Sequence, residues 1–254
     1  MSVRVIALVN QKGGVGKTTT AVNIAGYLGK AGKKVLLVDL DPQGNATSGL
    51  GIKPSEIEFG IYQALGNPAE ASRALQDTIH GVTVAPASPD LAGANVDLVT
   101  LAEREFRLRS VINTWRNDFD YILIDNSPSL GLLAINGLVA ADEVLIPVQA
   151  EYYALEGLRD LLHTIHLVQE HLHQSLGILG AVVTMYDVRN SLSAAVLKEL
   201  QQYFPNKVFS SIIPRNVRLA EAPSFGKPIV SYDPTSRGAI AYESLVNEIL
   251  HLHR

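Results

Sequence analysis

The 254-residue sequence contains no cysteine. That absence excludes disulfides, thiolate catalysis and cysteine-ligated zinc or iron–sulfur centres. No apolar run approaches the length needed to cross a bilayer. The N-terminus enters a strand-like run with neither a basic leader nor a cleavage site, so a cytoplasmic address is the expectation. Charge is also scarce. Asp, Glu, Lys and Arg make up 18% of the chain and leave a net charge of −4, which argues against wholesale attraction to nucleic acid, although a total conceals local patches. Repeats, linkers and low-complexity tracts are missing. The composition does not shift along the chain, so one large α/β domain spanning 1–254 is expected.

What the sequence has is a series of apolar runs rich in β-branched residues: Val3–Val9, Val35–Val38, Gly81–Ala85, Tyr121–Ile124, Val144–Val148, Ile178–Thr184 and Val208–Ile213. Several are apolar at consecutive positions rather than alternating, as strands buried on both faces should be. Helical patterns separate most of them. Thr18–Ala31 places Ala21, Val22, Ile24, Ala25 and Leu28 at helical spacing, and Leu155–Leu172 carries a one-sided stripe of Leu158, Leu161, Leu162, Ile165 and Val168. Strand–helix alternation predicts a doubly wound, mainly parallel sheet flanked by helices, with right-handed crossovers. Ligands bind beyond the carboxyl ends of such strands. The segments to inspect are therefore Asn10–Thr19, Asp39–Asn45, Asp125–Ser129, Gln149–Tyr153, Tyr186–Asn190 and Pro214–Arg218.

Asn10–Thr20 reads NQKGGVGKTTT. It ends in the G-K-[ST] of a phosphate-binding loop, with a strand run before it and a helical pattern after it. The usual first glycine is replaced by Gln11, and a second lysine, Lys12, stands at the entrance. Gly13, Gly14 and Gly16 let successive N–H groups converge on one anion, and the helix dipole adds to them. Lys17 can reach the β- and γ-phosphates of a nucleotide, and the Thr18 hydroxyl can ligate Mg²⁺. Asp125 closes the run Tyr-Ile-Leu-Ile-Asp, where a strand-end carboxylate suits a magnesium-bound water. Asp39 and Asp41 close a second strand run, pointing to the same face if the strand extends that far.

These motifs also carry a resemblance. QKGGVGKTTT, VDLDPQGN at 38–45, ILIDNSPSLG at 122–131 and IPRNVRLAEAPSFGKPI at 213–229 resemble, in order and spacing, the ParA/Soj family. That family comprises P-loop ATPases with a deviant Walker motif that segregate chromosomes and plasmids. The resemblance implies an ATP hydrolase with ATP and Mg²⁺ as cofactors, slow until a ParB/Spo0J-type partner stimulates it. It implies that Lys12, Gly13, Gly14, Val15, Gly16, Lys17, Thr18 and Thr19 hold the nucleotide, with adenine near Pro214 and Asn216. It gives Mg²⁺ to Thr18 and, through water, to Asp125, with Asp39 supporting from behind. Lys12, Lys17 and Asp41 become the catalytic set, Asp41 orienting water and Lys12 reaching the phosphates of a partner subunit. Two facing triphosphates repel unless cations lie between them, so a lysine from each subunit would make an ATP-dependent homodimer. A solvated lysine, or one on its own nucleotide, is the alternative for Lys12. At one point the chain departs from the pattern: the family's Asp-x-Pro-Pro reads Asp125-Asn126-Ser127-Pro128.

Residues 185–237 contain seven Lys/Arg against four Asp/Glu, a local +3 beside −7 elsewhere. Charge alone favours a solvated face. The resemblance instead implies that Arg189 and Arg218 hold double-stranded DNA without sequence preference, in association with the nucleoid. His163, His166, His171 and His173 lack a closed ligand set and read as helix surface. Tyr152 and Tyr153, after a strand end, are candidates for partner contact. The competing reading is a MinD-type membrane-associated cell-division ATPase. Such proteins end in a basic amphipathic helix, whereas SLVNEILHLHR looks like core and argues against membrane binding.

Overall fold

The computed structural model describes residues 3–151 and 154–253, without the side chains of 154–156. Tyr152 and Tyr153, the candidate partner contacts, therefore lie outside the described residues. Along the chain run β1 (Arg4–Leu8), α1 (Lys17–Lys30), β2 (Val35–Leu40), α2 (Asn45–Gly49), α3 (Ile61–Gly66), β3 (Gln76–Asp77), β4 (Thr83–Ala85) and α4 (Ala94–Asp97). Then follow α5 (Arg107–Trp115), β5 (Tyr121–Asn126), α6 (Leu132–Ala140), β6 (Glu143–Gln149), α7 (Ala154–His171), β7 (Gly177–Thr184), α8 (Ser191–Tyr203), α9 (Val217–Glu221), α10 (Ile229–Tyr232) and α11 (Arg237–Leu252).

The sheet order is β3-β4-β2-β5-β1-β6-β7, parallel throughout except for β3 against β4. The consecutive apolar positions of the strands divide between its two faces. Leu36, Val38, Ile122, Ile124, Val144 and Ile146 pack with α5, α6 and α7, whereas Ile6, Leu8, Leu37, Leu123 and Leu145 pack with α1 and α11. Burying one such side chain contributes about 1.5–3 kcal/mol, so both faces are fixed by the same strands. The α7 stripe behaves as expected: Leu158, Leu161, Ile165 and Val168 are buried in the first cluster. His163, His166 and His171 face solvent, and His173 reaches the Ala141 carbonyl at 3.0 Å.

One expected strand is not a strand. The run Val208–Ile213 follows the edge of β7 without a continuous ladder: the N–H groups of Phe209 and Ile213 donate to the Ala181 and Val183 carbonyls at 2.9 and 2.8 Å, and the bridges of Ala181 with Val208 and, just beyond, of Tyr186 with Pro214 stay isolated. The reason is Glu248 on α11. Its carboxylate accepts the N–H of Ser210 at 2.9 Å and of Ser211 at 2.7 Å, turning that backbone away from β7. The short antiparallel β3 has too few residues for any periodicity to reveal it.

β1 lies between β5 and β6, and the chain continues from it to β2 on one side and later to β6 and β7 on the other. The crevice beyond β1 is therefore the switch point at which open α/β sheets take their ligands.

Candidate active site

The loop between β1 and α1 occupies that crevice. Gly14 and Gly16 have φ of +75° and +85°, in the left-handed region that glycine adopts without strain. Gly16 is the N-cap of α1, no side chain caps the helix, and its first turn has no acidic residue. The N-terminal N–H groups and the positive end of the dipole are thus left for an anion. Residues outside the motif hold the loop in place. Asn10 donates to the Pro147 carbonyl at 2.8 Å and accepts the Lys12 N–H at 3.0 Å, while Thr184 donates to the Val15 carbonyl at 2.8 Å. Sequence reasoning missed both roles, because a lone polar residue at a strand end carries no motif.

Lys17 is 6% exposed and its ammonium donates to the Lys12 carbonyl at 3.3 Å. Burial holds its pKa below the usual lysine value, opposed by the charges of Asp125 and Asp41. Lys12 points elsewhere and pairs with Glu151 at 3.2 Å. An exposed pair of that kind is worth only about 0–1 kcal/mol, so the lysine exchanges partners at little cost.

The three acids divide into different roles. Asp39 and Asp125 are register partners on β2 and β5, and both are fully buried. Asp39 accepts the Thr47 N–H at 2.8 Å, the Thr47 hydroxyl at 2.6 Å and the Asp41 N–H at 3.2 Å. Burial still pushes its pKa up to about 6. Its bonds anchor the loop that carries Asp41, and it is not among the cleft-lining side chains. Asp41 is the last residue before the turn; it lines the cleft and accepts the Gln43 N–H at 3.0 Å.

Among the described residues neither oxygen of Asp125 has a well-formed hydrogen bond. Burial first, and then the charge of Asp39, raise its pKa well above the carboxylate range, while the nearby Thr18 hydroxyl and Lys17 pull it down. A buried carboxylate without a partner beside a hydroxyl is an oxygen-donor set suited to Mg²⁺. Among the described residues no three His, Cys, Asp or Glu form a metal cage. Mg²⁺ needs none, since it keeps waters and takes phosphate oxygens.

A cleft of about 750 Å³ joins these parts, lined by Gly13, Gly14, Gly16, Lys17, Thr18, Thr19 and Asp41, with Asn95 and Ser127–Ser129 also on its wall. A smaller pocket of about 240 Å³ adjoins it across Gly16, Thr19 and Met185, with Pro214, Asn216, Leu219 and Tyr242 on its walls. Asn216 caps α9, its side-chain oxygen accepting the Arg218 N–H at 2.8 Å. The motif at 213–229 is tied to α1 through Asn23, which accepts the Ile229 N–H at 2.6 Å and donates to the Thr19 carbonyl at 2.7 Å. Another groove of about 740 Å³, between 206–211 and the end of α11, contains no phosphate-binding loop.

Arg189 and Arg218 emerge from neighbouring segments, because Tyr186 and Pro214 are bridged and the Arg215 N–H donates to the Tyr186 carbonyl at 3.0 Å. Arg189 is 85% exposed at its side chain and forks onto Asp187 at 3.0 and 2.9 Å. Those hydrogen bonds, with Arg215 nearby, hold the Asp187 carboxyl down at about 2. Arg218 pairs with Glu221 at 2.9 Å and Asp233 at 3.4 Å.

A family model described as an AAA domain matches residues 3–178. The sporulation initiation inhibitor protein Soj of Bacillus subtilis is 52% identical over 247 residues, covering 97% of this chain and 98% of its own. The chromosome partitioning protein ParA of Myxococcus xanthus is 52% identical over 248 residues, covering 97% and 88%. Among solved structures, cobyrinic acid a,c-diamide synthase from Mycobacterium smegmatis with bound ATP analogue and magnesium superposes with a TM-score of 0.87 at 39% identity, covering 98% of this chain and 95% of that one. The motifs, the doubly wound sheet and these full-length similarities agree: the chain belongs to the Soj/ParA family of chromosome-partitioning ATPases.

Proposed function

We propose that the chain works as one ATPase domain and as a dimerising switch. It binds ATP and Mg²⁺, pairs with a second copy across the nucleotides, and in that state holds DNA without sequence preference. A ParB/Spo0J-type partner then stimulates hydrolysis and release, which would leave the protein cytoplasmic and cycling on and off the nucleoid. The observation that carries this reading is the unpartnered, fully buried Asp125 beside Thr18 and Lys17 at an uncapped helix N-terminus.

Bound Mg²⁺ would neutralise charge on the β- and γ-phosphates, held by the Thr18 hydroxyl and, through water, by Asp125. The N–H groups of the loop and Lys17 stabilise the phosphoryl oxygens. Asp41, on the cleft wall, orients the attacking water. Lys12 leaves Glu151 for the partner subunit's phosphates, and the pocket beside Pro214 and Asn216 takes the adenine. With its oxygen committed to the Arg218 N–H, Asn216 presents an NH₂ donor to the ring edge. The membrane-docking alternative needs a free amphipathic helix, but α11 buries Tyr242, Leu245, Val246 and Ile249 in the core. Among the described residues no helix is long and apolar enough to cross a membrane.

Arg189 and Arg218 would exchange their carboxylate partners for phosphates, at small cost because all three pairs lie at the surface. Arg218→Ala tests this. It should weaken binding to all duplex sequences alike and flatten the log–log salt dependence by about 0.9 for each phosphate that is no longer neutralised. The Asn216 cap receives the backbone N–H of residue 218, not its side chain, so ATP affinity should hold. Arg218→Ala protein that dimerises yet keeps the original salt slope would show that the DNA face lies elsewhere.

A further inference from the structure

The loop after β5 carries a donor that has no part in the roles assigned so far. Ser127 follows β5 directly, two residues after Asp125. Asp125 stays buried at the strand end, while Ser127 stands one step further out, on the cleft wall with Lys17, Thr18 and Asp41. The Ser127 hydroxyl meets the Ser129 hydroxyl at 3.2 Å, and neither makes another hydrogen bond among the described residues. Two hydroxyls sharing one bond leave at least one hydroxyl hydrogen undirected. Pro128 and Ser129 line the same wall, and Asn95 stands with them.

We propose that Ser127 Oγ donates a hydrogen bond to the terminal phosphoryl group of a bound nucleoside triphosphate. This deepens the ATPase reading and rests on it. A triphosphate seated on the loop at 13–18 would have its terminal group near Lys17 and Thr18, in the cleft that Ser127 also lines. The loop N–H groups and Lys17 serve that group from the loop side, together with the Mg²⁺ that Thr18 would hold. Residues 127–129 form part of the wall of that cleft, and Ser127 is the first hydroxyl after Asp125 along the chain. As the phosphorus–oxygen bond breaks, its electron pair leaves on the diphosphate, and a donor on the terminal oxygens holds the phosphoryl group in line for the attacking water, so it acts on turnover rather than on binding of the diphosphate. A proline at 127, which the family resemblance leads one to expect, would offer neither a hydroxyl nor an N–H.

The test is Ser127→Ala and Ser127→Thr in the full chain, comparing kcat for ATP with calorimetric affinity for ADP, which lacks the terminal group. Loss of one hydrogen bond to a charged group predicts a fall in kcat of roughly 10-fold for Ser127→Ala. ADP affinity should stay within about twofold, and Ser127→Thr should recover most of kcat because it restores the hydroxyl. An unchanged kcat in Ser127→Ala overturns the proposal. So does a parallel loss of ADP affinity, which would mark a structural role, or a failure of Ser127→Thr to recover activity. The underlying reading fails separately, if wild-type protein neither binds nor cleaves ATP.

Discussion

Replacing Lys17 with alanine is expected to weaken Mg-ATP binding by about 10- to 150-fold, the range set by losing one hydrogen bond to a charged group at about 1.5–3 kcal/mol. The effect should fall near the upper end, for an electrostatic reason. Lys17 is nearly buried, and the charges of Asp125 and Asp41 bear on it. Without its ammonium those two acids face an incoming triphosphate with only loop N–H groups to offset them. The fold should tolerate the change, since the ammonium's only intrachain hydrogen bond is to the Lys12 carbonyl among the described residues. Titration calorimetry with ATP, beside a melting curve without nucleotide, separates the two effects. Unchanged affinity would mean that the phosphate loop has been misassigned.

The second large effect divides binding from turnover. Asp41→Ala should bind ATP and dimerise while hydrolysing about 10²- to 10⁴-fold more slowly, the range for removing a group that orients or activates the attacking water. Its anchorage should survive, because Asp39 receives the N–H of residue 41 rather than its side chain. Lys12→Ala should do the reverse, keeping ATP affinity and failing to dimerise, since among the described residues its ammonium pairs with Glu151 alone. Size-exclusion chromatography in ATP distinguishes them. A monomeric Asp41→Ala protein or a stable Lys12→Ala dimer would exchange or cancel the two roles.

Much of this arrangement was legible because it is local. β1, β2, β5 and β6 are consecutive apolar runs with a polar residue at or just past the end, and Asp39, Asp125 and the loop at 13–18 stand at those ends. What the sequence hid depends on distant partners. Val208–Ile213 has the composition of a buried strand, yet Glu248, nearly forty residues on, diverts its backbone. The commitment of Asp39 to Thr47 rather than to the cleft follows from the path of the turn between them. Asn10 and Thr184 hold the phosphate loop through hydrogen bonds to residues 137 and 169 positions away, a spacing no local pattern encodes.

The central claim is that nucleotide state governs hold on DNA, through a dimer that doubles the number of arginines on the duplex. One measurement addresses it directly: equilibrium binding of the wild-type protein to a mixed-sequence duplex at fixed salt, with ATP, with ADP and without nucleotide. The account predicts that ATP raises affinity at least about tenfold over the other two conditions and steepens the salt dependence, because both copies of Arg189 and Arg218 then engage together. Equal affinity and equal slope in all three conditions would contradict it.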